Sequence, residues 1–438
     1  MRQLKSNTMQ RIESIFLIFI FIQPILDLFA FLGLPISEVI RVLAIFIGMI
    51  YLLFNQNKKI QQLAFFYHII LILYFSIHLL VSYLFKEPFS LVVELTHITK
   101  TIFFIELLIV YVCVIFSISR KNNWQNILLR KVTISMAIIA VVMVLAELTN
   151  TGKRSYDMLL KAGHSGWFFS GNELSAILAM GFGFILLYFF RQKNTRVKMI
   201  LFGLLGILCW AMMTIGTKVS FGGLILFLIL AVIIGISEFF FRKKTMLHIL
   251  IPSILFAATL IWLPFSSIGQ NLHITLGPSF SPSTDTENQL LEEDAEGFNH
   301  ILSGRSDFLK QTMQQYQDAS PSQKLFGMGY GGNYQTEPKL IEMDLLDWLF
   351  GFGVIGFILL IAPICMIAVR LFKHIFLVKP IKLNWEVIMI GMSICIGFGA
   401  ALVAGHVLSS PAVSIYLAIA IGYVYALTHP TVKNRTEG

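Results

Sequence analysis

Residues Gly222–Phe241 read GGLILFLILAVIIGISEFFF, and the run is followed at once by Arg242, Lys243 and Lys244. Glu238 is its one ionisable group. A helix of this length, rising ~1.5 Å per residue, crosses the ~30 Å hydrocarbon core of a bilayer. The basic triplet marks the end that stays in water, and by the positive-inside rule it marks that end as cytoplasmic. Working outward from this segment, further apolar runs of spanning length lie near residues 15–32, 39–54, 63–85, 98–118, 132–148, 174–190, 197–213, 246–268, 348–371, 387–408 and 412–427. The expected fold is therefore all-α, a polytopic transmembrane bundle of about twelve helices.

Composition agrees. Of 438 residues 56% are hydrophobic and 13% charged, whereas a soluble domain carries roughly 25% charged residues. A net charge of +9 in a soluble chain would point to nucleic acid, but here the positions of Lys and Arg account for it and no nucleic-acid partner is expected. With the N-terminus inside, 22 of the 33 basic residues fall in short inner segments, so both termini are expected in the cytoplasm and the protein in the cytoplasmic membrane. The first apolar run continues through Gln23, Pro24 and Asp27 without a small-residue cleavage pattern, so it reads as a retained helix. Cys113, Cys209, Cys365 and Cys395 lie inside apolar runs without CxxC spacing and read as packing residues.

Three regions follow. Residues 1–268 hold about nine helices with an outer segment at 149–173, residues 269–341 form a long extracytoplasmic loop, and residues 342–438 hold about three helices. Long loops on a rigid scaffold are where function is housed. The loop opens with an acidic stretch at 281–297 that lacks aromatics and reads as mobile. A short amphipathic helix capped by Ser303 or Ser306 follows, with Phe308, Leu309, Met313 and Tyr316 as its apolar stripe, expected on the membrane surface. Next comes LFGMGYGGN at 325–333, whose glycines permit a close approach of main-chain N–H groups to an anion. The outer segment 149–173 combines aromatics with glycine and suits a re-entrant turn or an interface belt.

A charge near hydrocarbon costs at least ~2.5 kcal/mol, so ionisable groups at helix ends have to be accounted for one by one. Asp27, Glu38, Arg41, Glu94, His97, Lys100, Glu147, Glu173 and Lys218 all fall towards the outer side, while Glu106 sits mid-helix. A site open to the outside is expected. Glu38 and Arg41 are spaced to pair with each other, and Glu94, His97 and Lys100 to form a solvated helix end. Asp27, Gln23 and Glu147 read as helix–helix contacts, and His68, His78 and His406 as core or interface residues. Lys218 stands at the membrane edge in MTIGTKVSFGG, where a phosphate would pair with it. Arg305, in SGRSDF, has a planar donor fork suited to phosphate or carboxylate, or to a salt bridge with Asp307. Glu342, Asp344 and Asp347 precede a glycine-rich helix. They favour its dipole, or Glu342 or Asp344 carries a raised pKa and acts as a general base.

The segments GHSGWFFSGNELSAIL, MTIGTKVSFGG, SGRSDFLKQTMQQY, LFGMGYGGN and IEMDLLDWLFGFGVIG, in this order across 163–361, resemble the O-antigen ligase and polymerase superfamily. The resemblance implies a membrane glycosyltransferase of about ten to fourteen helices. It would move a glycan from an undecaprenyl diphosphate carrier to a hydroxyl acceptor on the outer face, with no cofactor and no metal. It assigns Arg305 and Lys218 to the diphosphate, with Arg41 and Lys100 as further candidates. His164, Trp167, Asn172, Glu173 and Tyr330 are candidates for the acceptor glycan. Many relatives carry a histidine as acceptor base after the glycine-rich loop, where this chain has Ile341, Glu342, Met343 and Asp344. Glu342 is the first candidate for the base, Asp344 the second and His164 the third.

The acidic variant is similar to Gram-positive members that polymerise capsular, exopolysaccharide or wall polysaccharide. It implies partners among export and chain-length regulator proteins. The rivals are a ligase attaching finished polymer, a transporter or flippase of lipid-linked saccharide, and an export scaffold. Glu106 and Glu238 are too few for a polar path through the bilayer, so an enzyme is favoured over a flippase.

Overall fold

The computed structural model describes residues 2–156, 161–242, 245–276, 305–333, 340–373 and 384–429. Twelve of the described helices are long and apolar enough to cross a membrane. They are α1 (Arg2–Phe31), α2 (Ile36–Leu53), α3 (Lys58–Phe85), α4 (Leu91–Ile118), α5 (Trp124–Leu148), α6 (Gly171–Arg191), α7 (Thr195–Ile215), α8 (Lys218–Arg242), α9 (Leu247–Trp262), α13 (Asp344–Phe372), α14 (Trp385–Val403) and α15 (Pro411–Thr428). Between α9 and α13 the described residues also form three shorter α-helices, α10 (Ser267–Leu276), α11 (Arg305–Asp318) and α12 (Pro321–Phe326). No strand is present among the described residues. The expected acidic stretch 281–297 and the Ser303 cap lie outside the described residues.

Local chemistry sets the helix ends. Asn57, Ser170, Asn194 and Ser320 each accept a backbone N–H from the first turn of α3, α6, α7 and α12. The run expected at 246–268 is interrupted. Pro264 has no N–H to continue the ladder, and a 3-10 turn at Leu263–Phe265 separates α9 from α10.

Two helices sit at the centre. The apolar windows of α6 and α15 are 89% and 83% buried inside the protein, against 28% for α2, α9 and α13. The last helix, α15, packs against α4 and α6. Polar contacts tie this centre together, with Tyr111 donating to the Phe16 carbonyl at 2.9 Å and Ser135 sharing a 2.6 Å bond with Tyr416. A buried hydrogen bond of this kind is worth about 1 kcal/mol net and costs more to leave unmade.

Connections gather on two opposite sides. On one, the loop side, Lys86 donates to the Tyr330 carbonyl and Arg305 to the Ala404 carbonyl, and Phe168, Phe169 and Ser170 share a cavity wall with Tyr330 and His406. On the other, the terminus side, Asn55, Lys121, Arg370 and His429 line one cavity. Cys209 is buried and Cys113 half-buried, whereas Cys365 and Cys395 are exposed on helix surfaces.

Candidate functional site

On the loop side a cavity of about 900 Å³ opens between α1, α2, α4, α6 and the segment before α15. Arg41, Lys100, His97, Glu173, Tyr330 and His406 contribute to its wall. Three phenylalanines and several aliphatic residues make up much of the rest. Asp27, Glu38 and several serines and threonines share the wall with them, and polar groups converging between apolar walls are the usual make-up of a ligand site.

The polar edge is built from three distant parts of the chain. Asp344, at the start of α13, is buried and accepts from the backbone N–H groups of His406, Val407 and Leu408 at 3.1, 2.8 and 2.8 Å and from the Ser409 hydroxyl at 2.7 Å. Four donors on one carboxylate clamp the 404–410 turn to the head of α13. Asp347 accepts Ile341 N–H and Met343 N–H and closes the helix start. Between these anchors Glu342 projects, and Arg305 at the head of α11 donates to it at 2.7 Å and to the Val403 and Ala404 carbonyls at 3.2 Å each. His406 Nε2 lies 3.7 Å from the other Glu342 oxygen. Both Glu342 and His406 hold positive φ, +63° and +57°, a conformation that non-glycine residues adopt where surrounding structure enforces it.

Electrostatics follow from this contact. The His406 imidazole, and after it the Arg305 guanidinium, hold the Glu342 carboxyl down at about 2 against the opposing effect of burial. Reciprocally, Glu342 pushes the His406 pKa up. The expected raised pKa of Glu342 is thus reversed, because two cationic groups rather than apolar walls face it. Asp344, the other expected base, has its oxygens filled by four donors. The residue that combines a titratable nitrogen, a carboxylate partner and a cavity wall is His406, expected to be a core or interface histidine. A signal was available, since the glycine, two serines and proline of GHVLSSP at 405–411 mark a turn, and the run expected to reach 408 ends as a helix at Val403.

The glycine-rich loop has a different task from the one expected. Several of its N–H groups bond within the protein: Met328 and Gly329 donate to the Phe350 and Gly351 carbonyls, and Tyr330 to both oxygens of Glu94 at 3.1 Å. α13 is unwound at Gly353, with φ +66° and ψ −178°, and the Phe352 carbonyl is taken by the Tyr74 hydroxyl. The loop therefore docks by backbone pairing onto a broken transmembrane helix. Glu94, which also pairs with Lys86, and His97, stacked on Phe352 at 4.6 Å, are buried beneath it. They do not form the solvated helix end that was expected.

Other expected site residues divide. Arg41 pairs with Asp27 across α1 and α2, where Glu38 had been expected as its partner. Lys100 makes no ion pair among the described residues. Buried polar atoms without a partner include Arg41 Nε, His97 Nε2 and Arg305 Nε. Glu173 reaches the cavity wall from the first turn of α6, and Asn172 beside it is half-buried.

Lys218 is exposed at the head of α8, and neither it, His164, Trp167 nor Asn172 contributes to the wall. His164 pairs with Glu147 at 2.5 Å and accepts Gly166 N–H, while Trp167 Nε1 donates to Thr151 Oγ1. Arg154 and His164 form an antiparallel bridge, flanked by backbone bonds from Lys153 to the Gly166 carbonyl and from Ser155 to the Gly163 carbonyl. The amphipathic helix α11 packs Tyr316 on Phe350 of α13 at 5.1 Å.

Twelve helices of spanning length, with a cavity at one end whose wall carries Arg41 and Lys100 beside Asp27, Glu38 and Glu173, define a multi-pass membrane protein. The chain belongs to the family of O-antigen ligase like membrane proteins, whose profile matches residues 9–428. Membership supports a membrane polysaccharide ligase or polymerase in general. No curated protein matches the chain.

Proposed function

We propose that the protein is a glycosyltransferase of the cytoplasmic membrane that polymerises oligosaccharide repeats carried on a polyprenyl diphosphate, at the outer face. The observation that carries this reading is the meeting of Arg305, Glu342 and His406 at the edge of a cavity that also presents Arg41 and Lys100. Lys100, Arg41 and Arg305 attract the donor diphosphate. The acceptor sugar hydroxyl attacks the anomeric carbon as His406 takes its proton, and the bond from that carbon to the diphosphate oxygen breaks. Glu342 orients the imidazole and offsets the charge it gains. Fixed cations stabilise the charge growing on the leaving diphosphate. One displacement inverts the anomeric carbon. The basic residues of the terminus side support an orientation with both termini in the cytoplasm.

The test is mass spectrometry of lipid-linked saccharides from cells lacking the gene and from the same cells carrying the intact or the Arg305→Ala protein. Single repeats are expected to accumulate on the diphosphate carrier while long chains vanish. Arg305→Ala should lower polymer at least tenfold at normal protein level. Stranded long chains would instead identify a ligase, and an unchanged pool would remove glycosyl transfer on this carrier.

A further inference from the structure

A second cavity, of about 680 Å³, opens on the terminus side, at the other end of the bundle from the candidate site. It is a wedge between α3 and α13. Towards the loop side these helices are stitched together, with Tyr74 donating to the Phe352 carbonyl and, seven residues along, Tyr67 donating to the Leu359 carbonyl at 3.0 Å. One turn further Pro363 stands inside α13, where a proline removes a backbone bond and bends a helix. From there both helices form cavity walls, α3 through Lys59 to Tyr67 and α13 through Ala362 to Arg370, with α4 as the back.

The wedge is graded along its depth. Ile109, Val112 and Ile367 line its apolar part, with Leu63 and Met366 exposed along its open flank, and one helical turn or more beyond them Lys59, Arg120, Lys121 and Arg370 stand at its end, all four exposed. Glu13 is the one carboxylate in the wall, and it is buried and accepts the Tyr51 hydroxyl at 3.3 Å. Four cations therefore face outward from an apolar slot set between transmembrane helices. The positive-inside rule accounts for cations on this side of the membrane, but not for four of them gathered round one opening. Basic pockets between helices on the cytoplasmic side are suited to anionic lipid head groups, and the chemistry demanded here is a phosphate head above apolar chains.

We propose that this wedge binds an anionic glycerophospholipid of the leaflet it faces. The phosphodiester lies among Lys59, Arg120, Lys121 and Arg370, and an acyl chain fills the slot between α3 and α13. The lipid joins the two helices where their direct contacts end. The proposal is independent of the reaction assigned to the loop-side cavity.

The experiment is native mass spectrometry of the full-length protein with phosphatidylglycerol or phosphatidylcholine of matched chains. Phosphatidylglycerol is expected to be retained at least tenfold more than phosphatidylcholine. Replacing the four cations by glutamine should bring it to the phosphatidylcholine level. A second pair of variants, Leu63→Trp and Met366→Trp, fills the slot and leaves the charges in place, and each should lower phosphatidylglycerol retention at least fivefold. Equal retention of the two lipids would overturn the proposal. So would a phosphatidylglycerol preference that survives filling of the slot, which is diffuse surface attraction. Displacement of phosphatidylglycerol by an equimolar polyprenyl phosphate would also overturn it, making the wedge a carrier site.

Discussion

At His406 the backbone adopts a left-handed conformation that costs a residue with a β-carbon roughly 1–2 kcal/mol, and Asp344 supplies the bonds that hold it there. The pairing with Glu342 predicts a pH response. Glu342, held at about 2 against an ordinary 4.5, contributes stability that is complete above 4.5 and is lost as pH falls towards 2. His406, raised above 6.5, contributes stability that is complete below 6.5 and is lost as pH rises through its higher folded value. Both contributions are therefore whole between pH 4.5 and 6.5. As a base, however, His406 must be neutral, so the rate of transfer by purified protein should rise with pH to a midpoint above 6.5. In Glu342→Gln that midpoint should move down towards 6.5; an unmoved midpoint would separate Glu342 from the titrating group. Arg305 and Glu342 could be picked out from sequence because they stand in a loop between apolar runs. His406 could not be paired with them, since nothing local links residues 305, 342 and 406. Glu94 and His97 were misread for a related reason. Their spacing reveals a shared helix face, but not the loop some 235 residues later that covers it.

Among the elements, the dock between the glycine-rich loop and the broken α13 leaves little room. A β-carbon on Gly353 would stand 2.5 Å from the Gly327 nitrogen and 2.6 Å from the Leu325 carbonyl oxygen, on a backbone with φ +66°. Overpacking of roughly 1–3 kcal/mol would add to the left-handed strain of roughly 1–2 kcal/mol. Gly353→Ala is therefore expected to lower the unfolding temperature in detergent and to reduce polymer. Gly391→Ala, whose β-carbon meets nothing within 4 Å, should stay within ~0.5 kcal/mol of the parent. Equal behaviour of the two variants would mean that the dock bears no stability. The twelve spanning helices were legible because length and hydropathy alone define them. The break at Gly353 was not, because glycine is common in membrane helices and here only the facing loop turns it into a break.

For the molecule as a whole, the crowding of basic residues on the terminus side predicts orientation. In a background without the four native cysteines, a membrane-impermeant maleimide should label Gln314→Cys on α11 in intact cells and leave Asn122→Cys unlabelled. The opposite pattern would invert the topology and move the candidate cavity to the cytoplasmic face. The placement of α15 carries a different consequence, one of timing. The chain is made from its N-terminus, yet the last of the described spanning helices is one of the two most enclosed, and the turn just before it bears His406. Eleven helices must enter the membrane and keep a central berth open until the twelfth arrives. The turn that Asp344 captures lies just before that helix, so on the proposed reading Arg305, Glu342 and His406 come together late in the order of synthesis, after most of the described bundle has been made.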